Sequence, residues 1–354
     1  MDIDFSEINY LKNPTWQDLH ADYEQFLLSM TGPTVIDVLG NDQTKCRVFT
    51  TLLHGNEPSG LIAMHRYLTE VLAQEKPTTN LRFIICSVEA ATSKPLFSQR
   101  YINGGMDINR CFGKHCSFEC HDGQRGYCQR ASLIERAIRE VSPEMVIDLH
   151  NSSSSGPTFA VSSVVTTETL SLASLFCQTL ILSDLTMGSI MEQNFDCPFI
   201  TIECGGCQDE QAHEIAFSGI SQVAQCENIG YIHQEKAVEV IYRPLRLQLK
   251  AQTKLSYAQH DEGYSGITLK DNIECFNFGS AHQDEMLGWI DGNGLDNLQL
   301  IDKSGKNVID DYFYARENQL VCRHNLRLFK ATTNQDTAIN DCLFYVVKLS
   351  SAAL

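Results

Sequence analysis

Two short segments carry side chains that could hold a cation. His54-Gly55-Asn56-Glu57-Pro58-Ser59-Gly60 puts an imidazole and a carboxylate three residues apart in a turn. Both can reach one ion, and imidazole plus carboxylate suits zinc. Zinc at an enzyme site commonly takes three protein ligands and keeps one position open. His150 offers the third, since it follows the apolar run Met145–Leu149 and precedes the polar run Asn151–Ser155. Asp148 lies two residues earlier, which in a strand puts both side chains on one face. A carboxylate beside a zinc-bound imidazole fixes its tautomer, and Asp148 could serve either His54 or His150 in this way. A lone His-x-x-Glu is weak in a chain with 11 histidines. Two histidine segments at strand ends of one sheet are a stronger sign.

Further residues would complete a hydrolase. Arg100-Tyr101 and Asp107-Ile108-Asn109-Arg110-Cys111-Phe112 lie in a glycine-rich stretch. Two arginines near a metal could bind a substrate carboxylate and polarise a carbonyl. Without a metal they would read as solvated surface arginines. Ile202-Glu203-Cys204-Gly205-Gly206 ends an apolar strand on a carboxylate that burial beside a metal could tune as general base and acid. Alone, Glu203 reads equally well as an ordinary residue before a turn. His115, Cys116, Cys120, His121 and Cys128 form a cluster within Lys114–Arg130, an insertion-like stretch. Its C-x3-C-H-x6-C spacing lacks a paired C-x2-C, so loop thiols or one adventitious disulfide are expected ahead of a second, structural metal. Cys197, Cys204 and Cys207 around Glu203 read as small buried residues.

These residues need a scaffold that brings strand ends together. Cys46–Leu53, Leu81–Val88, Met145–Leu149 and Phe199–Cys204 read as buried strands. Between and after them, Pro58–Leu72, Ala131–Val141, Thr169–Ile181 and Asp209–Ala224 read as helices, the first with Leu61, Met64, Leu68, Val71 and Leu72 on one face. Continuous apolar strands alternating with amphipathic helices imply a largely parallel sheet covered on both faces, and sites form at the carboxyl ends of such strands. Residues 1–30 read as a helical lead-in carrying Leu19, Tyr23, Phe26 and Leu27, stopped at Thr31-Gly32-Pro33. The region 89–130 fits neither period and reads as a long irregular excursion.

Beyond about residue 230 the pattern changes. Val238–Tyr242, Leu245–Leu249, Gly266–Leu269, Ile273–Phe276, Met286–Ile290, Asn297–Ile301 and Leu343–Val347 read as short β stretches separated by Gly, Asn and Asp turns. The expected organisation is an α/β catalytic domain over 1–229 and a smaller all-β domain over 230–354.

Composition narrows the classes of partner. The chain has 354 residues, 44 acidic and 27 basic, for a formal net charge of −17. Nucleic acid is not expected as a partner, because phosphate binding needs a basic face. An anionic small molecule remains compatible where a local arginine cluster or a metal reverses the field. No run of about 18 apolar residues occurs, so no membrane span is expected. The start MDIDFSEINYLKN lacks the basic and apolar parts of a secretory signal, and a cytoplasmic location is expected. The 14 cysteines are then read as buried residues or metal ligands and not as a disulfide framework.

HGNEPSG, R-x6-DINR-x-F, DLHNSS and IECGG, in this order, resemble the succinylglutamate desuccinylase/aspartoacylase family, a branch of the zinc carboxypeptidase-like metallohydrolases. The likeness spans residues 35–225 as an ordered set, and an appended β domain is usual in the family. It implies a mainly parallel mixed sheet sandwiched by helices, with one Zn²⁺ per chain held by His54, Glu57 and His150. It implies that Glu203 activates the zinc-bound water and that Arg100 polarises the scissile carbonyl. It implies that Asn109 and Arg110 recognise a substrate carboxylate. Lys114–Arg130 does not align with the family, and the further Arg and Tyr that aspartoacylases bring from later loops have no clear counterpart.

The reading is a zinc-dependent hydrolase that cleaves the amide of an N-acyl amino acid or a similar small acidic amide. A metallocarboxypeptidase or amidase acting on short peptides or cell-wall fragments shares the motifs. A non-catalytic metal-binding protein on the same fold is disfavoured, since Glu203 and Arg100 are both present. A homo-oligomer is compatible with the sequence.

Overall fold

The structure is a computed structural model that describes residues 3–102, 104–113, 125–152, 156–231 and 237–349. The chain divides into two compact units, Met1–Asn151 with Thr158–Ile241, and Ser152–Pro157 with Tyr242–Leu354.

The first unit contains strands β1 (Asn9–Lys12), β2 (Thr34–Val38), β3 (Asp42–Thr51), β4 (Thr79–Ile85), β5 (Met145–Ser152), β6 (Phe159–Ser162), β7 (Thr179–Leu182), β8 (Phe199–Gly206) and β9 (Glu239–Tyr242). Its helices are α1 (Trp16–Leu19), α2 (Tyr23–Leu28), α3 (Ser59–Arg66), α4 (Val88–Ala91), α5 (Arg125–Arg139), α6 (Thr167–Ser174) and α7 (Glu210–Gln225). The strands form one sheet in the order β1-β2-β4-β3-β5-β8-β6-β7-β9. The pairs β1–β2, β3–β4, β3–β5 and β6–β7 are parallel, and β2–β4 and β6–β8 are antiparallel.

Alternation along the central strands explains why they are apolar throughout. Phe49, Phe83, Ile147 and Ile202 join one core with Leu61 and Met64 of α3 and Ala216 and Ile220 of α7. Their neighbours Val48, Ile84 and Val146 join another with Ala131, Ile134 and Ile138 of α5. Side chains of successive strand residues point to opposite faces, so a strand covered on both sides must be apolar at every position.

Several expected elements differ in the structure. The lead-in opens with edge strand β1, parallel to β2, before the short helices α1 and α2. The stretch Thr169–Ile181 is not one helix, because α6 stops at Ser174 and Thr179–Leu182 is paired in parallel with β6. Helix propensity over residues 175–181 gives way to that pairing. The helix begun at Ser59 ends in a π-turn over Tyr67–Val71, where Leu72 N–H bonds Tyr67 O. Residues 125–130 of the insertion-like stretch begin α5. His115, Cys116, Cys120 and His121 lie outside the described residues, and Cys128 is buried in α5.

The second unit holds β10 (Leu245–Leu249), β11 (Leu255–Ala258), β12 (Ile267–Lys270), β13 (Ser280–Ala281), β14 (Met286–Ile290), β15 (Leu298–Leu300), β16 (Phe313–Arg316), β17 (Gln319–Cys322), β18 (Leu326–Phe329), helix α8 (Gln335–Asn340) and β19 (Phe344–Lys348). Two five-stranded sheets result, β13-β18-β19-β10-β15 and β11-β12-β14-β17-β16. Leu247, Leu328 and Val346 of the first share a core with Leu269, Leu287 and Leu320 of the second. Ile273–Phe276 is a 3₁₀ turn instead of a strand, and α8 adds a helix to an otherwise β unit. No described helix is long and apolar enough to cross a membrane.

Candidate metal and substrate site

Strand register builds the site. β3 and β5 are parallel neighbours, with Thr50 opposite Asp148 and Thr51 opposite Leu149. The loop after β3 therefore emerges beside the end of β5 and carries His54 to His150. Gly55 permits that path, because a Cβ there would come within 2.6 Å of the Ala91 backbone nitrogen. Gly55 N–H also donates to Arg100 O at 2.9 Å, which ties this loop to the arginine segment. Pro58 is the N-cap of α3 and suits the start of a helix.

His54, Glu57 and His150 are buried, and one ligand atom from each lies within 4.8 Å of the others. Glu57 bridges the two imidazoles, with Oε1 at 3.0 Å from His54 Nδ1 and Oε2 at 2.6 Å from His150 Nδ1. Each ring is held by a carboxylate at its other nitrogen. His150 Nε2 is 2.7 Å from Asp148 Oδ2, and His54 Nε2 is 2.9 Å from Asp107 Oδ1. Asp148 thus serves His150, and Thr50 Oγ1 donates to its other oxygen at 2.6 Å. Asp107 is the residue that sequence reasoning missed in this role; it stands inside the DINR motif, and nothing local links it to His54.

The donor set fits a divalent cation. His54 Nδ1 is buried without a hydrogen-bond partner, because the 3.0 Å contact with Glu57 lacks hydrogen-bond alignment. Two ligands that converge on one ion stand in this relation. An imidazole that ligates through Nδ1 carries its proton on Nε2, which then donates to its carboxylate.

Arg100 reaches the same cluster. Its Nη1 donates to Glu57 Oε1 at 3.1 Å, and Nη2 donates to Asp107 Oδ2 at 3.3 Å. Nη2 is also 2.9 Å from His54 Nε2. Arginine only donates, so that contact needs a bare Nε2, whereas the bond to Asp107 needs a protonated one. With Nδ1 on a cation, the Asp107 bond is the one that fits. Arg110 Nη1 donates to Asn109 O at 2.9 Å and lies 3.8 Å from Asp107 Oδ2. About a third of each arginine side chain is exposed. Asn109 Oδ1 accepts from Ile190 N–H at 2.9 Å.

Glu203 is buried near the carboxyl end of β8, which lies between β5 and β6, and pairs across from Phe159. It is outside the three-residue cluster. Next to His150, Asn151 Oδ1 accepts from Ser59 N–H at 3.0 Å, and its amide donates to Ser59 Oγ at 2.7 Å and Gly205 O at 3.0 Å. This buried amide joins β5, α3 and β8, and nothing in the sequence pattern marks it.

The electrostatics follow from these contacts. Burial opposes charge on Glu57, but the two imidazoles outweigh it and hold the carboxyl well below the usual carboxylate range. Burial likewise opposes charge on Asp107, and His54, Arg100 and Arg110 reverse the effect, so its carboxyl is lowered too. Burial disfavours the His150 imidazolium, yet Asp148 and Glu57 raise its pKa well above the ordinary value. Cys204 is buried and Cys197 and Cys207 are half-buried. Burial raises all three thiol pKa values, to about 12 for Cys197, which leaves them poor nucleophiles at neutral pH.

The comparisons with known proteins agree with this architecture. The model of one family, described as succinylglutamate desuccinylase/aspartoacylase catalytic domain, matches residues 49–219. No curated protein matches the chain significantly. Among solved structures, succinylglutamate desuccinylase from Vibrio parahaemolyticus is 15% identical with a TM-score of 0.57, covering 92% of this chain and 94% of that one. The Vibrio cholerae enzyme of the same name is 12% identical with a TM-score of 0.55, covering 93% and 95%. A succinylglutamate desuccinylase/aspartoacylase from Rhodobacter sphaeroides is 15% identical with a TM-score of 0.54, covering 91% and 89%. At such identities the structural likeness is one of fold. The matched segment contains His54, Glu57, Arg100, Asn109, Arg110, His150 and Glu203, and over those residues the chain matches the succinylglutamate desuccinylase/aspartoacylase catalytic domain.

Proposed function

We propose that the chain is a zinc-dependent hydrolase that cleaves the amide bond of a small, anionic N-acyl amino acid. The observation that carries this reading is the buried His54–Glu57–His150 cluster, with both Nδ1 atoms turned toward one carboxylate and both Nε2 atoms held by others. Imidazole nitrogen with one carboxylate, fixed by outer carboxylates, is a donor set for zinc. Zinc in such a site supplies Lewis acidity and brings the pKa of a coordinated water down to about 7.

The chain's own residues do the remaining work. Glu203 takes a proton from the water that adds to the acyl carbonyl and passes it to the leaving amine. Arg100 supplies N–H donors for the oxyanion that develops on that carbonyl. Arg110 and the Asn109 amide bind the substrate carboxylate and orient the amide for attack. Asp148 and Asp107 hold His150 and His54 in the tautomers that ligation requires.

The test is a panel of N-acetyl and N-succinyl amino acids with acidic, basic and neutral side chains, assayed after metal removal and after zinc return. Zinc-restored release of the free amino acid from one or more members is expected. No release from any member, with zinc bound, would refute the reading.

A further inference from the structure

The segment Met187–Glu192 packs against Asn109–Phe112, although neither is catalytic machinery for the other. It is a tight turn organised by one carboxylate. Glu192 Oε1 accepts from Met187 N–H at 2.7 Å, Ser189 N–H at 3.0 Å and Ser189 Oγ at 2.9 Å, and Oε2 accepts from Gly188 N–H at 3.1 Å. Three successive backbone amides are therefore fixed by a single side chain. Ile190 is fully buried beside Ile108, Cys111 and Phe112, which anchors the turn from below.

The turn meets the substrate-anchoring segment at three points. Ile190 N–H donates to Asn109 Oδ1 at 2.9 Å. Phe112 N–H donates to Gly188 O at 2.9 Å. Gly188 has a φ of +79°, and a Cβ on it would stand 2.6 Å from Arg110 O. The contact with Asn109 matters chemically. A primary amide has one acceptor end and one donor end, and a carboxylate can be bound only by the donor end. Turning Asn109 over would set its NH₂ against the Ile190 N–H, donor against donor.

We propose that Glu192 is a positioning residue: it holds the 187–192 turn so that Ile190 N–H occupies Asn109 Oδ1 and leaves the Asn109 NH₂ as the end presented to a substrate carboxylate. The inference rests on the reading of Asn109 and Arg110 as the carboxylate anchor. It adds specificity determinants, Glu192 and Gly188, that act through Asn109 and touch no substrate atom.

The experiment is a double-mutant cycle on the zinc-loaded full chain, using the best-cleaved member of the N-acyl amino acid panel. Glu192→Gln puts an NH₂ where one of the carboxylate's accepting oxygens stands. It should raise KM roughly tenfold or more, the scale of a lost positioned hydrogen bond, with kcat changed far less and zinc content unchanged. Asn109→Ala should raise KM as well. Combining the two should add little to Asn109→Ala, because residues that act through one contact are not additive. Asn109→Asp keeps the acceptor for Ile190 N–H but loses the donor, and should raise KM at least as much as Asn109→Ala. Where Glu192→Gln does not fold, Gly188→Ala perturbs the same docking from the other side and should show the same KM signature. If Asn109→Ala raises KM while folded Glu192→Gln does not, or if the two effects add fully, the positioning role is overturned. If neither Asn109→Ala nor Arg110→Ala changes KM, or no panel member is cleaved, the anchoring reading falls and the inference falls with it.

Discussion

Asp148 holds His150 by Nε2 at 2.7 Å and thereby turns Nδ1 to Glu57, 2.6 Å away. The relationship begins in the strand register, which sets Thr50 against Asp148 and lets the threonine hydroxyl occupy the second carboxylate oxygen. The orientation of this imidazole is therefore fixed by the sheet before any ion arrives.

One consequence is graded metal affinity. Wild-type protein should hold one equivalent of zinc, and the His54→Ala, His150→Ala double variant none. Asp148→Asn should still bind, about 10- to 100-fold more weakly, as expected when the partner that orients a ligand is changed. Elemental analysis and chelator competition check both. Equal zinc in wild type and double variant would remove the site.

Proton linkage is another. The metal-free His150 pKa lies well above 6.5, so at neutral pH the ring carries a proton on the nitrogen that faces Glu57. A ligand nitrogen must lose that proton, so zinc binding should release about one proton near pH 7, with affinity rising about tenfold per pH unit. Chelator competition from pH 6 to 8 measures the slope. A flat profile would show that His150 is neutral in the metal-free protein or is not a ligand.

The same contacts set the pH range of metal-free stability. The His150 pKa is raised, so its contribution is complete below 6.5 and is lost as pH rises through the folded value. The Glu57 pKa is lowered from 4.5, so its contribution is present above that value and is lost as pH falls through the folded one. These are two sides of one interaction and count once. Metal-free protein should melt highest between about pH 5 and 6.5 as far as this cluster is concerned. Thermal melts of wild type against Glu57→Gln isolate it; parallel pH profiles for the two would show no contribution from the pair.

Arg110 should govern affinity for the substrate acid. With a net charge of −17, attraction for an anion has to be local. A hydrogen bond to a charged group is worth about 1.5–3 kcal/mol, so Arg110→Ala should raise KM about 10- to 100-fold for acidic substrates. Neutral N-acyl amines should respond much less. Equal, unchanged KM for both classes would end the anchoring role.

What could be read from sequence here is what local pattern records. The apolar runs at β3, β4, β5 and β8 mark strands covered on both faces, and His54 and His150 follow or end such runs. Pairings between distant segments leave no such mark. Asp107 meets His54 across 53 residues and Ile190 meets Asn109 across 81, and both contacts depend on how loops dock after the sheet has formed. Edge strand β1, four residues and mostly exposed, has no apolar period to reveal it. The Thr169–Ile181 stretch failed for the opposite reason, since its helical pattern is genuine up to Ser174 and is then overridden by pairing with β6.

Glu203 is expected to move protons and not to hold the metal. The cluster that could hold a metal is His54, Glu57 and His150 without it, and a fourth protein ligand would close the position that water needs. Val146 N–H donates to Pro198 O and the Asn151 amide to Gly205 O, so buried Glu203 on β8 lies near the level of His150 on the neighbouring strand. Glu203→Gln preserves shape but cannot accept a proton. The variant should fold and bind zinc normally, KM should change little, and kcat should fall about 10²–10⁴-fold, the usual cost of losing a general acid–base group. Adding zinc should not rescue it, because the deficit is in proton transfer. Near-normal turnover would dismiss Glu203 as the base. Loss of zinc in proportion to activity would instead make Glu203 a ligand, and Glu57, already tied to Arg100 at 3.1 Å, would then need another role.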